Sequence, residues 1–540
     1  MATTKRVRFD LIDKYIKRTM KTTLIPGLSI GITDRERTLW VASYGCSELE
    51  SERKVAPGDL FEIGSISKFF SVIVLMQLRD KGLVDLDRPV TDYLPWFKVK
   101  SRYAPITLHH LLTHTAGLVI GQEESPEGVP EVWSLRCTEA STPPGEHFHY
   151  SNHGYKTVGL VIEKLTGRSC GDMVRDRVLR PLGMNSTEPV IANDVRSRLV
   201  VGYGPSLDDR PLTSPSRLAP AAWFESGTAD GTICSNPSDM CRHLRMILHG
   251  GALPNGGRLM SVDSFKLMTA PHIKPEDGYH GESYGYGMNV GQLDGHSCLW
   301  HTGGMVGYHA SIVVDVDSGL GVVTLINGPG TPEEISFFAL KTVRACLEDA
   351  TLPKVPPMSP IKEVEDAGQY AGKYSSPEGT VRVVPSGKEL WLVRDGKRSR
   401  LEPTAPDKFN SSDVSELFPF RFGRNDGVVT ELFNGPEWYT NDRYRGPRRF
   451  PSRKEWEPFP GHYRSYSPWS SNFRVVLRKG QLAIIEPQGD EEPLVPLAEG
   501  WFRIGADPKC PERIRFEMMV DGKAHMAFRS GGRAYRSFTP

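Results

Sequence analysis

A serine and a lysine stand three residues apart at the start of an apolar run, in the stretch FEIGSISKFF (residues 61–70). On a helix that begins here, Ser65 and Lys68 lie one turn apart on the same face. A lysine can serve as general base for a serine nucleophile, and a helix N-terminus offers backbone N–H groups to a developing oxyanion. The alternative is a helix-capping serine followed by a solvated lysine.

The Ser-x-x-Lys spacing occurs twice more, so the surrounding sequence has to decide between the matches. The match at 51–54 leads into a turn-like stretch, VAPGD, and the match at 359–362 lies in a Pro-rich stretch. Only Ser65 follows a glycine and directly precedes a long helical pattern. We therefore predict Ser65 as the nucleophile and Lys68 as its base.

A second element is Tyr150-Ser-Asn152, which has a Pro/Gly-rich stretch before it and a helical pattern after it. A tyrosine near a lysine can relay a proton, and an asparagine can hold the lysine and a substrate amide. The same spacing recurs at 439–441, but no nucleophile candidate lies beside that copy. We expect Tyr150 on a loop that lines a cleft.

A third element is the strand-like run WHTGGMVGYHA, which contains His301, Thr302, Gly303 and Gly304. A strand flanked by glycines lets a substrate backbone pair along its edge. The N–H of Gly304 would join that of Ser65 as a second oxyanion donor. The alternative is a structural histidine. A similar His-Gly-Gly at 249–251 ends a helical pattern and is typical of a C-cap.

The bulk properties exclude several function classes. The chain has 540 residues, a formal net charge of +1 and 39% hydrophobic residues, which favours a multidomain globular protein with no nucleic-acid or membrane partner. The N-terminus lacks an apolar signal-peptide core, which predicts a cytoplasmic protein. The eight cysteines are scattered and form no CxxC pair, so we expect them to be reduced and buried and expect no metal site.

Residues 1–350 combine strand-like ends with a helical middle. This arrangement predicts an α+β domain in which one antiparallel sheet is built from both ends of the segment and the helical part packs beside it. The strand-like runs are 27–33, 38–45, 298–304, 308–316 and 321–328.

A Pro-rich linker is predicted at 351–360, and beyond it short alternating strands contain a repeat. YAGKY from Tyr370 corresponds to FPGHY from Phe459, and VRVVPSGKELWLV from Val381 aligns without a gap on FRVVLRKGQLAII from Phe473. A third block, LEPTAPDKF, aligns on LVPLAEGWF. The sequence therefore predicts two small antiparallel β-barrels, 361–450 and 451–540.

Together the three elements, in this order, resemble the serine hydrolases of the penicillin-recognising clan, in the branch of class C β-lactamases, D-aminopeptidases and related esterases. The likeness covers most of residues 10–345, and four further stretches fit it: HHLLTHTAGL (109–118), PLGM (181–184), ADGTICSNPSDM (229–240) and YGYGM (284–288). The resemblance implies an acyl-enzyme on Ser65 and no metal or organic cofactor. It also implies that Lys68 and Tyr150 share the general base and acid roles and that Asn152 positions Lys68 and the acyl-side amide.

His301 departs from many members of this clan, which carry the lysine of a Lys-Thr-Gly motif at its place. That lysine helps to bind a substrate carboxylate, whereas a histidine is mostly neutral at pH 7. The histidine therefore favours a substrate without a carboxylate at this spot and disfavours a β-lactamase or a D,D-carboxypeptidase. The D-aminopeptidases, peptide-cyclising enzymes and esterases of the clan carry such a histidine.

The predicted architecture, a catalytic domain followed by two lipocalin-like β-barrels, resembles the three-domain bacterial D-aminopeptidase. In that enzyme a loop of the last domain restricts the site to substrates with a free amine. The acidic turn EPQGDEEP (486–493), with Asp490, is the candidate for such a loop here, the alternative being an exposed polar hairpin.

The sequence therefore predicts a serine hydrolase that cleaves a small peptide or amide substrate containing a D-residue, with a homodimer as a candidate assembly. A peptide cyclase or acyl transferase and a broad esterase are rival functions on the same scaffold. A non-enzymatic scaffold protein is disfavoured because the Ser, Lys, Tyr and Asn set is intact.

Overall fold

The computed structural model describes residues 7–121, 123–276, 278, 280–356, 363–451 and 453–538. They form two compact units, one from residues 1–204 and 220–358 and the other from 205–219 and 359–540. The predicted linker, 351–360, lies partly outside the described residues, and so does the Ser-x-x-Lys match at 359–362.

The first unit contains all the α-helices and the first strands of the chain. The α-helices are α1 (Phe9–Thr22), α2 (Ser67–Asp80), α3 (Val90–Tyr93), α4 (Leu108–Leu112), α5 (Gly128–Ser134), α6 (Asn152–Thr166), α7 (Cys170–Val174), α8 (Arg180–Leu182), α9 (Pro237–Leu248), α10 (Val262–Met268) and α11 (Pro332–Glu348). The strands up to residue 326 are β1 (Gly27–Thr33), β2 (Thr38–Glu48), β3 (Arg53–Lys54), β4 (Phe61–Glu62), β5 (Tyr203–Pro205), β6 (Leu218–Pro220), β7 (Cys234–Ser235), β8 (Ser283–Tyr284), β9 (Asn289–Leu293), β10 (His296–Met305), β11 (Tyr308–Asp315) and β12 (Leu320–Ile326).

One antiparallel sheet of eight strands joins the two ends of this unit, in the order β3-β2-β1-β12-β11-β10-β9-β8. The first strand of the chain, β1, pairs with the last strand of the unit, β12, in a register that places Ile30 opposite Thr324. The helical part of the chain is inserted between these two sets of strands. The predicted sheet with a helical insertion is therefore confirmed.

The sheet buries both faces, so its central strands β1 and β12 are buried along their whole length. Because side chains alternate across a strand, Val313 packs into a core shared with α1 and α11, whereas Ile312 and Val314 pack into a core shared with α2 and α6. All seven residues of β1 are buried. The sheet is thus held between two helical layers.

The second unit contains two closed eight-stranded barrels. The first barrel has strands β13 (Gly372–Ser375), β14 (Thr380–Ser386), β15 (Glu389–Arg394), β16 (Lys397–Ala405), β17 (Lys408–Ser411), β18 (Phe420–Asn425), β19 (Val428–Asn434) and β20 (Glu437–Thr440). The second has strands β21 (Gly461–Arg464), β22 (Asn472–Arg478), β23 (Gln481–Ile485), β24 (Glu491–Pro496), β25 (Trp501–Ile504), β26 (Arg513–Val520), β27 (Lys523–Arg529) and β28 (Gly532–Arg536).

The repeat seen in the sequence has a structural counterpart at the start of each barrel. Tyr374 in the first barrel and Tyr463 in the second are fully buried. Each tyrosine hydroxyl donates to the backbone carbonyl four residues earlier, Tyr374 to Tyr370 at 2.9 Å and Tyr463 to Phe459 at 2.7 Å. The aligned residues therefore form the same tether twice, and the predicted pair of β-barrels is confirmed.

Residues 205–219 belong to the second unit although they lie within the sequence of the first. The carboxylate of Asp208 accepts two hydrogen bonds from the guanidinium of Arg464, at 3.0 and 2.6 Å, on the second barrel. The backbone carbonyl of Leu212 accepts from Asn410 Nδ2 at 3.1 Å, on the first barrel. This segment therefore contacts both barrels, which the sequence analysis missed.

Two further expectations are tested by the fold. Among the described residues no helix has both the length and the apolar character to cross a membrane. All eight cysteines are unpaired, and Cys170, Cys234, Cys241 and Cys298 are buried. Cys137 is exposed, so the predicted burial is wrong for that residue.

A buried ion pair fastens α11 to the sheet. Arg344 Nη1 on α11 lies 3.0 Å from Asp315 Oδ2 at the end of β11, and the Asp315 side chain has no solvent exposure. Arg344 Nη2 also lies 2.7 Å from Asp294 Oδ2, so without Asp315 the guanidinium keeps one carboxylate but loses a buried hydrogen-bond acceptor, which costs about 1–3 kcal/mol.

We predict that Asp315→Ala lowers the free energy of unfolding of the first unit by about 1–3 kcal/mol. The matched control is Asp92→Ala, whose partner Arg88 is largely exposed, with 60% and 41% of the two side chains accessible. That pair is worth less than about 1 kcal/mol. Urea unfolding followed by circular dichroism measures both variants, and equal losses would contradict the prediction.

A buried carboxyl group, Glu62 on β4, stands three residues before Ser65. Its Oε2 atom is buried and has no hydrogen-bond partner among the described residues, and burial raises the pKa of Glu62 to about 8. A carboxyl group in this environment is mostly neutral at pH 7. Ionising it costs more free energy in the folded protein than in the unfolded chain, because burial removes the charge from water.

We predict that Glu62 contributes a decrease in the unfolding free energy as the pH rises from about 5 to 8, because over this range the folded protein holds a proton on Glu62 that the unfolded chain has released. Glu62→Gln should remove this part of the pH dependence, which amounts to roughly 1.4 kcal/mol per pH unit. Urea midpoints at several pH values measure it, with the exposed Glu36→Gln as control. The same slope in both variants would refute the role of Glu62.

Candidate active site

Ser65 lies in a single 3-10 turn, Gly64–Ile66, that leads directly into α2. The preceding strand β4 pairs with β7, which fixes the chain on the N-terminal side of the turn. The sequence forms a helix here because eleven of the fourteen residues of α2 are buried and continue an apolar pattern. Ser65 is therefore presented at a helix N-terminus, as predicted.

Lys68 is fully buried, and its Nζ atom makes three hydrogen bonds. It donates to Ser65 Oγ at 3.0 Å, to Asn152 Oδ1 at 2.8 Å and to the backbone carbonyl of Asp230 at 2.8 Å. The structure thus brings together Ser65, Lys68 and Asn152 from distant parts of the sequence. Asp230 was not predicted, because a backbone carbonyl leaves no signal in the sequence.

This set of partners suits a lysine that gives up a proton. Among the described residues no carboxylate forms an ion pair with Lys68, and all three of its hydrogen-bond partners are neutral groups. A neutral amine keeps two N–H donors for the carbonyl oxygens of Asn152 and Asp230, and its lone pair can accept from the hydroxyl of Ser65. Loss of the proton therefore breaks no ion pair.

Tyr150 lies on the loop before α6, and its ring approaches both Lys68 and His114. The centroid of the tyrosine ring is 5.0 Å from Lys68 Nζ and 4.2 Å from the centroid of the His114 ring. Asn152, two residues later, is the first residue of α6, which Ser151 caps by accepting from the N–H of Gly154. The cap therefore fixes the position of Asn152 relative to Lys68.

His114 holds the Tyr150 loop in place and was not singled out by the sequence analysis. Its Nδ1 atom accepts from the N–H of Ser151 at 3.0 Å, and its carbonyl accepts from the N–H of His149 at 2.8 Å. Burial, with a smaller effect of Lys68, lowers the pKa of His114 well below its usual range. The histidine-rich stretch 109–118 was the one signal that could have found it.

His301 lies in β10, and both of its ring nitrogens have a partner. Nδ1 lies 2.5 Å from the backbone carbonyl of Thr302, to which it must donate, so Nε2 accepts from the hydroxyl of Tyr284 at 3.1 Å. Burial first and the charge of Lys68 second lower the pKa of His301 to about 4. The imidazole is therefore neutral at pH 7.

The strand that carries His301 has one edge left open beside Ser65. Pairing between β10 and β9 ends at Trp300 opposite Asn289, whereas pairing between β10 and β11 continues to Met305 opposite Tyr308. Residues 301–305 thus have no partner from β9 on that edge. An extended substrate could add to it as a further strand.

Glycines allow this strand to approach the turn that carries Ser65. A β-carbon on Gly303 would lie 1.9 Å from the backbone oxygen of Ile63 and 3.3 Å from the backbone nitrogen of Ser65. A β-carbon on Gly64, whose φ is +53°, would lie 2.6 Å from the nitrogen of Gly304. Only glycine permits these contacts, which bring the backbone of Gly304 next to the serine turn.

A buried cluster of charges lies one helical turn beyond Asn152. Lys156 Nζ is 2.7 Å from Glu123 and 3.6 Å from Glu131. Burial opposes the charge of Lys156, but the charges of Asp230, Glu123 and Glu131 outweigh it and raise the pKa of the lysine. The cluster therefore ties α6 to the Asp230 loop, and these two elements supply the carbonyl partners of Lys68.

The remaining candidates lie elsewhere. His249 is the C-cap residue of α9, with Gly250 at a positive φ, as expected of a helix end. Asp490 is exposed in the second unit, on the turn between β23 and β24. Two neighbours on this turn are paired inside that unit, Glu486 with Arg529 at 2.6 Å and Glu491 with Arg421 at 3.1 Å.

Comparison with known proteins agrees with this geometry. A family model described as Beta-lactamase matches residues 12–337. Penicillin-binding protein 4 of Amycolatopsis lactamdurans is 28% identical over 340 residues, which cover 60% of this chain and 87% of that protein. The octameric penicillin-binding protein homologue from Pyrococcus abyssi aligns with a TM-score of 0.59 and 24% identity over 81% of this chain and 99% of that chain. A D-stereospecific amidohydrolase from Streptomyces sp. aligns with a TM-score of 0.51 and 23% identity over 60% of this chain and 96% of that chain.

The two structural likenesses are below 25% identity and show the fold. The family match is broader, since it spans more than half of the chain and contains Ser65, Lys68, Tyr150, Asn152 and His301. This chain belongs to the β-lactamase family of serine hydrolases.

Proposed function

We propose that this protein hydrolyses amide or peptide bonds of substrates that contain a D-amino acid, through an acyl-enzyme on Ser65. The observation that carries the proposal is the contact of Ser65 Oγ with the buried Lys68 Nζ at 3.0 Å, in a site where all hydrogen-bond partners of the lysine are neutral. A hydroxyl at a helix N-terminus, beside a base that has no counter-ion, is a nucleophile ready for activation.

In the first half of the reaction Ser65 Oγ attacks the substrate carbonyl carbon. The hydroxyl proton passes to the pair formed by Lys68 and Tyr150, and the carbonyl oxygen becomes an oxyanion. The N–H groups of Ser65 and Gly304 face that oxyanion and stabilise it. When the carbon–nitrogen bond breaks, the pair returns the proton to the leaving amine.

In the second half a water molecule attacks the ester carbonyl of the acyl-enzyme. The same pair takes a proton from the water, and the same two N–H groups bind the second oxyanion. The bond to Ser65 Oγ then breaks, the serine regains its proton, and a carboxylic acid leaves. Asn152 holds Lys68 through both halves, because its amide oxygen accepts from the lysine at 2.8 Å.

Two features of the site favour a peptide-like substrate without a carboxylate near His301. The open edge of residues 301–305 offers backbone hydrogen bonds to an extended substrate. His301 is neutral, so it provides no cation for a carboxylate. The likeness to a D-stereospecific amidohydrolase supports amides of D-residues as the substrates to test first.

We predict that the protein releases ammonia from D-alaninamide faster than from L-alaninamide, and that Ser65→Ala lowers the D-amide rate by about 1,000-fold or more. Intact-mass spectrometry should show an acyl group on Ser65 when an ester substrate is used. The matched control is Ser51→Ala, since Ser51 starts another Ser-x-x-Lys but is exposed and bonded to Glu48. That variant should keep full activity.

The same assay separates the rival functions. A D-alanyl ester and a linear peptide thioester are incubated in parallel, and the products are followed by mass spectrometry. Cyclised peptide would identify a cyclase or acyl transferase, and ester turnover without a chiral preference would identify a broad esterase. Activity that survives Ser65→Ala would remove Ser65 as the nucleophile.

We further propose that the turn carrying Asp490 selects substrates with a free amine. The support is that Glu486 and Glu491 are engaged within the second unit, whereas Asp490 and Glu492 are exposed carboxylates on this turn. A carboxylate pairs well with a substrate α-ammonium.

Asp490→Asn combined with Glu492→Gln should weaken kcat/KM for D-alaninamide about tenfold and leave N-acetyl-D-alaninamide unchanged, because only the first substrate carries a cation. Asp521→Asn, on another exposed turn of the same barrel, is the control. Equal effects on both substrates would remove the turn from substrate selection.

A further inference from the structure

The second unit contains a positively charged cleft that the proposed reaction does not use. Its volume is about 630 Å³, and it is lined by side chains from both barrels. Four of the lining residues are cations and one is a carboxylate: Lys408, Arg421, Arg478, Lys479 and Glu491. Glu431 pairs with Lys479 at 2.6 Å, and Glu492 interacts electrostatically with Lys408, so the four cations exceed the three nearby carboxylates by one.

Strand register explains why the first barrel presents these groups together. Lys408 on β17 lies opposite Arg421 on β18, and Arg421 lies opposite Phe433 on β19. Residues in register on neighbouring strands project on the same face. The inward-facing neighbours Phe409, Phe420 and Leu432 fill the barrel core, so the row of Lys408, Arg421 and Phe433 faces outward.

The second barrel closes the other side with the hairpin between β22 and β23. Arg478 Nη1 donates to the backbone carbonyl of Gly435 at 2.5 Å and also pairs with Glu491. The guanidinium carbon atoms of Arg421 and Arg478 lie 4.4 and 4.6 Å from the centroid of the Phe433 ring. The two arginines are therefore held in place before any ligand binds, which favours affinity.

The charges of this cleft are incompletely matched. Arg421 and Arg478 share the single carboxylate of Glu491, and the buried Nε of Arg421 has no hydrogen-bond partner among the described residues. Among the described residues Lys408 forms no ion pair, and its charge acts on the carboxylate of Glu492. The remaining wall is lined by Phe433, Phe450, Leu482, Ala483 and Pro493. Of these, Phe450, Ala483 and Pro493 are partly exposed, whereas the Leu482 side chain packs into the core of the second barrel.

We propose that this cleft binds an organic anion that joins a carboxylate or a phosphate group to a flat apolar group. Lys408 and Arg421 bind the anionic group, and the partly exposed side chains of Phe450, Ala483 and Pro493 contact the apolar group. Arginine suits this task because its planar fork binds oxyanions and stacks on rings. Glu491 and Pro493 in the lining belong to the turn 486–493, and anion binding at this cleft does not require the proposed hydrolysis.

A second cleft on the first barrel provides a natural control. It has a similar volume of about 600 Å³, but its three cations face three carboxylates. The charged residues that line it are Arg394, Lys397, Arg398, Asp395, Asp413 and Glu416. Both clefts therefore contain charged side chains, but only the first cleft has more cations than carboxylates.

Isothermal titration of the full-length protein with phenyl phosphate, benzoate, inorganic phosphate and the uncharged phenol tests the proposal. We expect one saturable site per chain for phenyl phosphate or benzoate, weaker binding of inorganic phosphate, and none of phenol. The stronger of the two organic anions identifies the anionic group. Binding should weaken as the salt concentration rises.

Lys408→Glu should weaken that binding at least tenfold, whereas Lys397→Glu in the control cleft should change it less than twofold. Lys408→Ala serves as a second variant, and thermal unfolding checks that each variant is folded. Ser65→Ala should bind as the unmodified protein does. The proposal is overturned if no organic anion binds saturably, if both charge reversals weaken binding equally, or if phenol binds as well as the anions.

Discussion

The burial of Lys68 is the constraint on which the arrangement of the catalytic unit depends. Burying the amino group of a lysine away from solvent costs free energy unless each of its N–H donors has a hydrogen-bond acceptor. Here the acceptors come from three separate elements: the serine turn, the first residue of α6 and the loop at Asp230. Each element must reach its place for the others to be stable. The contacts that satisfy the lysine also orient Ser65, so the proposed nucleophile is positioned by the same interactions that stabilise the fold.

Close backbone approach is the second constraint, and it explains why glycines surround the site. The strand of His301 can lie beside the serine turn only because Gly64 and Gly303 have no side chain at the contact. That approach brings the backbone of Gly304 next to the turn that carries Ser65, while the outer edge of the strand stays open. A bulkier residue at either position would push the strand away from the turn and so separate the N–H groups of Ser65 and Gly304, which are the proposed oxyanion donors.

Much of this could be predicted from the sequence, and the failures have physical reasons. The central strands could be predicted because both of their faces are buried. The barrels could be predicted because buried positions such as Tyr374 and Tyr463 recur in the two copies of the repeat. Ser65 could be distinguished from the two other Ser-x-x-Lys matches because a long helical pattern follows it. Residues 205–219 were missed because their docking depends on ion pairs between distant polar residues, such as Asp208 with Arg464, and such pairs leave no periodic pattern. The role of Asp230 was missed because every residue carries a carbonyl oxygen.

The charge balance of the site also bears on which substrates it can select. Lys68 depresses the pKa of both His114 and His301, after the larger effect of burial, so the two imidazoles are neutral beside it. In the described part of the first unit no carboxylate forms an ion pair with Lys68 or His301, and Glu123 and Glu131 pair with Lys156 instead. A substrate ammonium beside Lys68 and His301 would therefore find no carboxylate paired with either residue. The proposed preference for a free amine rests on carboxylates outside this set, namely those of the turn that carries Asp490.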